Sequence, residues 1–500
     1  MKNLLDKYYL EIAVFVCGAV VMMVELVGSR FLAPHFGTSL YVWSSVIGVV
    51  MGSLSLGYWL GGRMSVVNPR RGIFSLIIFA AALAVVGLAL SKDYILAAGD
   101  SLAAVSDVRW GSFFAALTLF SLPNVLLGMV SPYAARLKID QLQDCGRAVG
   151  DLYAISTVGS IIGTFTAGFW LIGMFSADQI NIYLAAILAA ISLAVDFKKA
   201  RFLKLSVLAA VVVWGFIFDF MAAKKLPLTF DTSYARYLVK DVILDSRSTL
   251  RALITDNLGA QSLMLIYDGK PSDEMIVPYN QYFLMGRHFK PDIRHGLLIG
   301  GGAFGFTGGF LNSYPEATLD VVEIDPALTG ISQKYFNLKT NSRLTIINED
   351  GRVFLNQNKS KYDCVYMDAF NSMAMPFHLA TQEAVQKIYG SLNDGAAVFV
   401  NVVSASSGDQ GKVLRAIKAT YENVFPQVYV FATNKEDKSD ELSNYVLVAL
   451  KSDVAPQWIS SDPQFDAYLK TRMDQSIEND MPIMTDDRSL LEKYALEIVK

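Results

Sequence analysis

Long apolar stretches fill the N-terminal part of this 500-residue chain and stop near residue 223. A helix that crosses a lipid bilayer needs about 20 mostly apolar residues. Seven stretches come close to or exceed this length: 10–29, 41–62, 72–91, 111–133, 152–174, 179–196 and 203–222. They predict a transmembrane helical domain over residues 1–223 with about seven spans. The protein is therefore expected to be a multi-pass protein of the cell membrane, in contact with the lipid bilayer.

The composition excludes some classes of function. A mean hydropathy of +0.36 and a charged fraction of 18% are too apolar for a soluble enzyme of this length. The net charge of −3 gives no basic field for phosphate groups, so a nucleic-acid partner is not expected. The three cysteines, Cys17, Cys145 and Cys364, are scattered without the spacing of metal ligands. We therefore expect no metal site.

Lysine and arginine are concentrated in the loops after spans two, four and six. Basic loops stay on the cytoplasmic side of a membrane, so these loops and the N-terminus are predicted to be cytoplasmic. Seven spans would then place the remaining chain on the opposite side. Lys224 and Lys225, just after the last stretch, favour the cytoplasm instead, and we adopt a cytoplasmic position as the prediction. The basic residues of the three loops are Arg63, Arg70, Arg71, Arg136, Lys138, Arg147, Lys198, Lys199, Arg201 and Lys204, against Arg30, Lys92 and Arg109 in the other three.

The remaining chain has the pattern of a soluble α/β protein. Short alternating segments between residues 236 and 269 predict strands, and hence a small β-strand domain over residues 230–285. Between residues 290 and 500, apolar runs rich in β-branched residues alternate with segments of helical length. This alternation predicts a parallel sheet of βαβ units, closed by an antiparallel hairpin formed by residues 427–434 and 444–451.

Glycines and acidic residues follow the predicted strands of this α/β domain. The first strand leads into Gly300, Gly301 and Gly302, which allow a sharp turn and a close approach to a ligand. The next three strands lead to Glu323, to Asp350 with Gly351, and to Asp368. The carboxyl ends of parallel strands meet at one edge, where open α/β sheets bind ligands. The pattern therefore predicts a nucleotide-binding site at this edge.

Three segments carry a family resemblance. VVEIDPAL, NEDGRVFL and YDCVYMDAF resemble spermidine synthase and its aminopropyltransferase relatives, which share the class I methyltransferase fold. VWSSVIGVVMGSLSLGYWLGGR, PFHLATQEA and TDDRSLLEKY are similar to the membrane-fused branch of that family. The resemblance implies a multi-span α-helical membrane bundle followed by a small β-domain and a spermidine synthase-like α/β domain over residues 290–500.

The resemblance also implies roles for individual residues. The three glycines would shape the nucleoside site, Glu323 would hold the ribose hydroxyls, and Asp350 with Gly351 would contact the adenine. Asp368 would take a proton from the attacking amine, and Pro376 lies where a lid would close over the site. The implied co-substrate is decarboxylated S-adenosylmethionine, or S-adenosylmethionine itself, with methylthioadenosine as the by-product of aminopropyl transfer in polyamine biosynthesis.

The positions that would hold the amine differ from the family pattern. Ala303 stands where the family has an aspartate, and Asn371 replaces a second aspartate. The family's tyrosine-histidine-glutamate segment reads Tyr279-Asn280-Gln281 here. A doubly charged diamine needs several anions to offset its desolvation. The nucleoside half of the site is thus expected to be intact and the polyamine half to be altered.

Three functions are compatible with these patterns. The first is a membrane-integral aminopropyltransferase that alkylates a small-molecule amine, putrescine by the family resemblance, with a homodimer as a possible assembly. The second is an S-adenosylmethionine-dependent methyl- or alkyltransferase acting on a membrane-presented acceptor, in which Arg251 or Arg287 would bind the methionine carboxylate. The third is a carrier with a non-catalytic nucleoside-sensing domain, suggested by Glu25 within the first span.

Overall fold

The structure is a computed structural model that divides into two compact units. The N-terminal unit consists of Met1–Leu226 with Phe230–Arg236, and the C-terminal unit of Pro227–Thr229 with Tyr237–Lys500. The three predicted domains, with boundaries at residues 223, 230 and 285, are not the same division of the chain as these two units, and they stay predictions. The residues that the structure describes are 2–37, 39–67, 69–139, 145–222, 228–255, 260–272, 274–370, 375–434, 441–473 and 476–498.

The described part of the N-terminal unit is helical. A short π-helical segment, Ala167–Leu171, connects α6 to α7. The helices are α1 (Lys2–Phe36), α2 (Leu40–Val67), α3 (Arg71–Val105), α4 (Val108–Gly128), α5 (Val130–Lys138), α6 (Cys145–Thr166), α7 (Ile172–Met174), α8 (Ala177–Val195) and α9 (Arg201–Ala222).

Six helical segments are long and apolar enough to cross a membrane, judged by length and composition over the described residues. They coincide with the first six predicted stretches: Lys7–Phe36, Leu40–Val67, Arg71–Val105, Val108–Lys138, Cys145–Met174 and Ala177–Val195. The seventh stretch also forms a helix, α9, several of whose side chains lie outside the description.

Glycine lets the helices of this bundle approach each other closely. A Cβ atom added to Gly159 on α6 would lie 2.1 Å from the Phe15 carbonyl oxygen on α1, and one on Gly57 of α2 would lie 2.3 Å from the Val125 carbonyl oxygen on α4. Real side chains do not fit at such distances. Small residues at helix interfaces are typical of membrane bundles, where packing replaces the hydrophobic effect.

Residues near the start of α9 and beyond its end lie close to α8. Near the start of α9, the Lys204 ammonium donates to the carbonyl oxygens of Ser192 and Asp196, at 3.2 and 3.1 Å, where α8 ends. Beyond α9, Asp231 and Thr232 line a small cavity with residues of the other end of α8, Ala177 and Ile180. A helix of 19 residues is about 28 Å long, at about 1.5 Å per residue. Lys204 and residues 231 and 232 therefore lie near opposite ends of α8.

An antiparallel sheet comes next in the chain. It has five strands in the order β1-β2-β3-β4-β5, and its central pairs are in register from Tyr237 opposite Thr255 to Ile243 opposite Thr249. This confirms the strands predicted between residues 236 and 269. The sequence also predicts a turn at residues 257–259 between two of these strands, and those residues lie outside the described ones. The strands are β1 (Leu228–Asp231), β2 (Arg236–Ile243), β3 (Ser248–Thr255), β4 (Ala260–Tyr267) and β5 (Lys270–Pro271).

A seven-stranded sheet with helices between its strands forms the α/β part, as the alternating pattern predicted. Its order is β11-β12-β10-β9-β6-β7-β8, with five parallel strands and an antiparallel pair at one edge. The strands are β6 (His295–Ile299), β7 (Thr318–Val322), β8 (Leu344–Ile347), β9 (Tyr362–Met367), β10 (Leu392–Ser404), β11 (Gln427–Ala432) and β12 (Ser443–Leu450). The helices are α10 (Pro278–Phe283), α11 (Gly286–Phe289), α12 (Gly305–Ser313), α13 (Pro326–Tyr335), α14 (Gly351–Gln357), α15 (Gln382–Gly390), α16 (Lys412–Glu422), α17 (Pro463–Leu469) and α18 (Leu491–Ile498).

The central strands are apolar because they are covered on both faces. All six residues of β9 are buried, as are Leu297, Leu298 and Ile299 of β6. Parallel strands covered on both sides are mostly apolar, and most of their polar side chains lie where the strands end. The carboxyl ends of β6, β7, β8 and β9 therefore carry the polar residues of the site.

Candidate active site

A glycine turn connects β6 to α12 and touches the end of β9. Gly300 has a φ of +93°, and a Cβ added there would lie 2.4 Å from the backbone oxygen of Asp368. Gly302 has a φ of +51°. Both positions favour glycine, because L side chains rarely adopt positive φ. The turn thus brings the glycine run and Asp368 together, as the predicted meeting of strand ends requires.

Glu323, directly after β7, holds this turn by its side chain. One carboxylate oxygen accepts hydrogen bonds from the backbone N–H groups of Gly301 and Gly302, at 2.7 and 3.1 Å, and the other accepts from Asp325 N at 2.9 Å. Burial raises the pKa of Glu323, which the three N–H donors partly offset. A carboxylate accepts about four hydrogen bonds, so capacity for a hydroxyl ligand remains.

Asp368, directly after β9, accepts two side-chain hydrogen bonds. Tyr279 on α10 donates its hydroxyl to Oδ2 at 3.0 Å, and Asn401 on β10 donates its amide to Oδ1 at 2.9 Å. Its backbone N–H donates to Ile299 O at 2.8 Å, which ties the end of β9 to that of β6. The carboxylate is thereby fixed from two sides.

Opposing effects set the proton affinity of this carboxylate. Burial raises the pKa of Asp368 to about 7, and the nearby charge of Glu323 acts in the same direction. The hydrogen bonds from Asn401 and Tyr279 lower it, because they stabilise the ionised form. A general base works best when its pKa lies near the working pH. A pKa of about 7 would suit such a role at neutral pH.

Asp350 begins α14 and is used as its N-cap. Its Oδ1 accepts from the backbone N–H groups of Arg352 and Val353, at 2.9 and 3.0 Å, while Oδ2 lies 3.3 Å from Nε2 of His378. Gly351 fits tightly, since a Cβ there would lie 2.8 Å from the Ile299 side chain. The predicted adenine contact of Asp350 and Gly351 stays a prediction, and the cap is a role that sequence reasoning missed.

The segment around Pro376 is anchored to α14. Pro376 precedes a short 3-10 turn, Phe377–Leu379, and accepts a backbone hydrogen bond from Leu379 at 2.9 Å. Arg352 donates to the His378 carbonyl oxygen at 2.9 Å and to the Thr381 hydroxyl at 3.1 Å. The lid role predicted for Pro376 remains a prediction, but its C-terminal side is held at the same sheet edge as Asp350.

The predicted amine-binding positions are only partly brought together. Tyr279 contacts Asp368, as described. Ala303 is buried, and its backbone N–H donates to the Ser262 hydroxyl on β4 at 3.1 Å. Gln281 bonds to Met275 O and to the Tyr468 hydroxyl, both at 2.7 Å. Asn371 lies outside the described residues.

Asn401 and Ser262 are the site residues that the sequence analysis missed. Asn401 is buried in the apolar run AAVFVNVV, and a polar side chain within a covered strand is the signal that could have found it. Ser262 gave no such signal, because serine is common in half-exposed strands. Its contact with the glycine turn depends on how the antiparallel sheet meets α12.

Both arginines considered for a methionine carboxylate have other partners. Arg251 forms two hydrogen bonds with Asp241, both at 2.7 Å. Arg287 donates to Asp462 at 2.7 Å and lies over the ring of Phe465. Neither guanidinium is therefore available at the glycine turn without breaking an ion pair.

Comparisons with known proteins find one matching family model and several relatives. Residues 281–452 match the spermine/spermidine synthase domain family. The chain is 28% identical over 203 residues to a polyamine aminopropyltransferase of Vibrio vulnificus, covering 40% of this chain and 66% of the relative. It is 30% identical over 129 residues to a probable polyamine aminopropyl transferase of Bifidobacterium longum, covering 26% of this chain and 28% of the relative.

A solved structure of a probable spermidine synthase from Corynebacterium glutamicum aligns with a TM-score of 0.39 and 19% identity, covering 53% of this chain and 92% of that one. Of the two curated relatives, the chain spans just under two thirds of the Vibrio vulnificus protein and less than a third of the Bifidobacterium longum protein. Residues 281–452, which match the family, contain Asp368, Asn401 and the glycine turn. The C-terminal unit of this chain carries a spermine/spermidine synthase domain, which spans residues 281–452.

Proposed function

We propose that this protein is a membrane-integral aminopropyltransferase that moves an aminopropyl group from decarboxylated S-adenosylmethionine to an amine. The observation that carries the proposal is Asp368, a carboxylate with a pKa of about 7 that lies against the glycine turn between β6 and α12. A sulfonium already activates the carbon bound to it, so the protein needs chiefly to orient the amine and remove its proton.

In the proposed step, the amine nitrogen attacks the aminopropyl carbon attached to sulfur. The new C–N bond forms as the C–S bond breaks, and the bonding electrons leave with sulfur in methylthioadenosine. The amine loses one proton, which Asp368 takes. Tyr279 and Asn401 hold both carboxylate oxygens, so free lone pairs of the same group are left to face the amine.

Glu323, Asp350, Gly351 and the three glycines are proposed to bind the nucleoside. The support for Glu323 is its contact with the glycine turn and its remaining hydrogen-bonding capacity. The support for Asp350 is its place at the same sheet edge, with Oδ2 facing His378 rather than used for the cap. Pro376 is proposed to belong to the lid over this site.

The acceptor is proposed to be a small-molecule amine, with putrescine as the first candidate. Buried Ala303 supplies a methyl group instead of a carboxylate, which weakens the case for a doubly charged diamine such as putrescine, so the monoamine butylamine is tested beside it. Methyl or alkyl transfer to a membrane-presented acceptor is the second candidate. The ion pairs of Arg251 and Arg287 favour the decarboxylated donor over it. Asp368, held in place by two donors as a proton acceptor, favours catalysis, because passive nucleoside sensing needs no proton acceptor.

Release of methylthioadenosine tests the proposal. Detergent-purified protein is incubated with decarboxylated S-adenosylmethionine and either putrescine or butylamine, and products are measured by mass spectrometry. We expect amine-dependent methylthioadenosine and an aminopropylated amine from the wild type, and a rate at least about 100-fold lower from Asp368→Asn, which removes the base. Wild-type protein that binds the donor but alkylates neither amine would rule out these acceptors.

We also propose that the helices cross the membrane seven times and that the C-terminal part of the chain emerges on the non-cytoplasmic side. The support is that Lys204 is bonded to the end of α8 that is rich in basic residues, whereas residues 231 and 232 line a cavity with residues of the other end of α8. Basic loops stay cytoplasmic. This departs from the cytoplasmic position favoured by Lys224 and Lys225, and it requires the donor to reach the non-cytoplasmic side.

A further inference from the structure

Three polar side chains form a row across three neighbouring strands of the seven-stranded sheet. Asn444 on β12 donates its side-chain amide to Oδ1 of Asn401 at 2.8 Å, and Asn401 on β10 donates to Oδ1 of Asp368 at 2.9 Å. In the β10–β12 pairing, Asn401 lies opposite Val446 and Val403 opposite Asn444. Asn401 and Asn444 are thus diagonal neighbours on one face of the sheet.

The surroundings of this row are apolar. On the same face as Asn401, Phe399 and Val446 are buried. A buried amide costs free energy unless its groups are hydrogen-bonded. Here the hydrogen bonds run in one direction, because the Asn444 amide donates to Asn401 and the Asn401 amide donates to Asp368. Buried Asn401 and partly buried Asn444 are therefore both hydrogen-bonded within the row.

The order of the row fixes the orientation of the Asn401 side chain. Its oxygen accepts from Asn444, so its nitrogen has to face Asp368 and can only donate. A rotated Asn401 would place its oxygen against the Asp368 carboxylate and its nitrogen against the Asn444 nitrogen. Both contacts would be repulsive. Asn444 thus determines whether the nitrogen or the oxygen of the Asn401 side chain faces Asp368. Its own hydrogen bond goes to Asn401.

We propose that Asn444 is a positioning residue for the transfer reaction, which acts through Asn401 to hold Asp368 as an oriented proton acceptor. The inference rests on the proposed function of Asp368. The other groups that face this carboxylate are the Tyr279 hydroxyl from α10, the Glu323 carboxylate after β7 and the backbone of Gly300 after β6. None of them is bonded to Asn444, so its effect can be separated from theirs.

The Asn444→Asp variant tests this inference, because it keeps the size of the side chain but removes its donor. Asn401 would then rotate to donate to the new carboxylate and present its oxygen to Asp368, which would bind its proton more tightly. We expect the acid limb of the pH profile of kcat/KM to move up by about one pH unit, about tenfold in rate below the limb. Affinity for methylthioadenosine should change less than about twofold, since the nucleoside contacts are untouched.

Two further variants complete the design. Asn444→Ser keeps a hydroxyl donor and should restore the acid limb towards the wild-type position. Asn423→Asp introduces the same charge at an exposed position after α16 and should leave the limb unchanged. A limb that stays in place in Asn444→Asp, or that moves equally in Asn444→Ser and Asn444→Asp, would overturn the inference.

An infrared titration separates this inference from the proposed function. The protonated carboxyl band of Asp368, identified by its loss in Asp368→Asn, reports its protonation without turnover. If the wild type releases no methylthioadenosine, the proposed function fails, while the band still shows whether Asn444→Asp shifts the titration of Asp368. If the band does not shift, the positioning inference fails even where transfer is observed.

Discussion

Asp368 is held by donors from two elements that are distant in sequence, Tyr279 on α10 and Asn401 on β10. The sequence was sufficient to predict Asp368 itself, because an acid directly after an apolar strand is a local pattern. It was not sufficient to predict Asn401 or Asn444. Their role depends on β10 lying between β9 and β12 and on the register of that pairing. Such pairing is not encoded within any one segment.

Removal of the Tyr279 hydroxyl should change the proton affinity of Asp368. Without this donor, the ionised form loses a hydrogen bond and the pKa of Asp368 rises above its value of about 7. The ionised fraction at a given pH falls, so Tyr279→Phe should move the acid limb of kcat/KM up by about one pH unit and regain activity at higher pH.

Tyr282→Phe is the control, since Tyr282 lies on the same helix but donates to Ala432 O at 3.0 Å. Its pH profile should match that of the wild type. A uniform loss of kcat/KM in Tyr279→Phe, with an unmoved acid limb, would mean that Tyr279 contacts the substrate without setting the proton affinity of the base.

The elements of the α/β part follow from apolar runs of strand length, and the structure confirms the parallel strands and the closing hairpin that the sequence predicted. The helix caps and the glycine turn are also local. In contrast, the contact of Ser262 with Ala303 joins the antiparallel sheet to α12, and no local pattern encodes it. The Asp350 cap could have been predicted, since aspartate before a short apolar helix is a common start signal.

Gly300 connects two elements, and its replacement should disturb both. Its φ is +93°, and an added Cβ would press against the backbone of Asp368. Alanine in such a conformation is strained by about 1–3 kcal/mol. We expect Gly300→Ala to lower the melting temperature and to abolish measurable transfer.

Gly308→Ala is a matched control in the same region. Gly308 lies within α12, and a Cβ added there would meet open space. Alanine should therefore stabilise the helix by about 0.5–1 kcal/mol. Thermal unfolding and methylthioadenosine release measure both variants. Equal behaviour of the two would show that the turn does not need glycine at residue 300.

At the scale of the whole molecule, the sequence predicted an apolar helical part and a soluble α/β part, and both are present as compact units. The path of α9 could not be predicted, because apolar length alone does not distinguish a crossing helix from one in the membrane interface. Lys204 is bonded to one end of α8, and residues 231 and 232 line a cavity at the other end; the seventh crossing is a proposal that these positions support.

Cysteine labelling of the full chain tests the proposed topology. In a Cys145→Ser background, a membrane-impermeant maleimide is applied to intact cells that carry either Lys359→Cys, exposed in the C-terminal unit, or Lys199→Cys, exposed in a basic loop. We expect Lys359→Cys to react in intact cells and Lys199→Cys to react only after lysis. The reverse pattern would place the C-terminal part in the cytoplasm.

Calorimetric titration tests the central claim most directly. Purified protein is titrated with decarboxylated S-adenosylmethionine, S-adenosylmethionine and methylthioadenosine. We predict that the decarboxylated donor and methylthioadenosine bind the wild type and Asp368→Asn alike, that Glu323→Gln binds both at least about tenfold more weakly, and that S-adenosylmethionine binds more weakly than its decarboxylated form. Absence of heat with all three compounds would contradict the account, because no adenosyl site would then exist for Asp368 to serve.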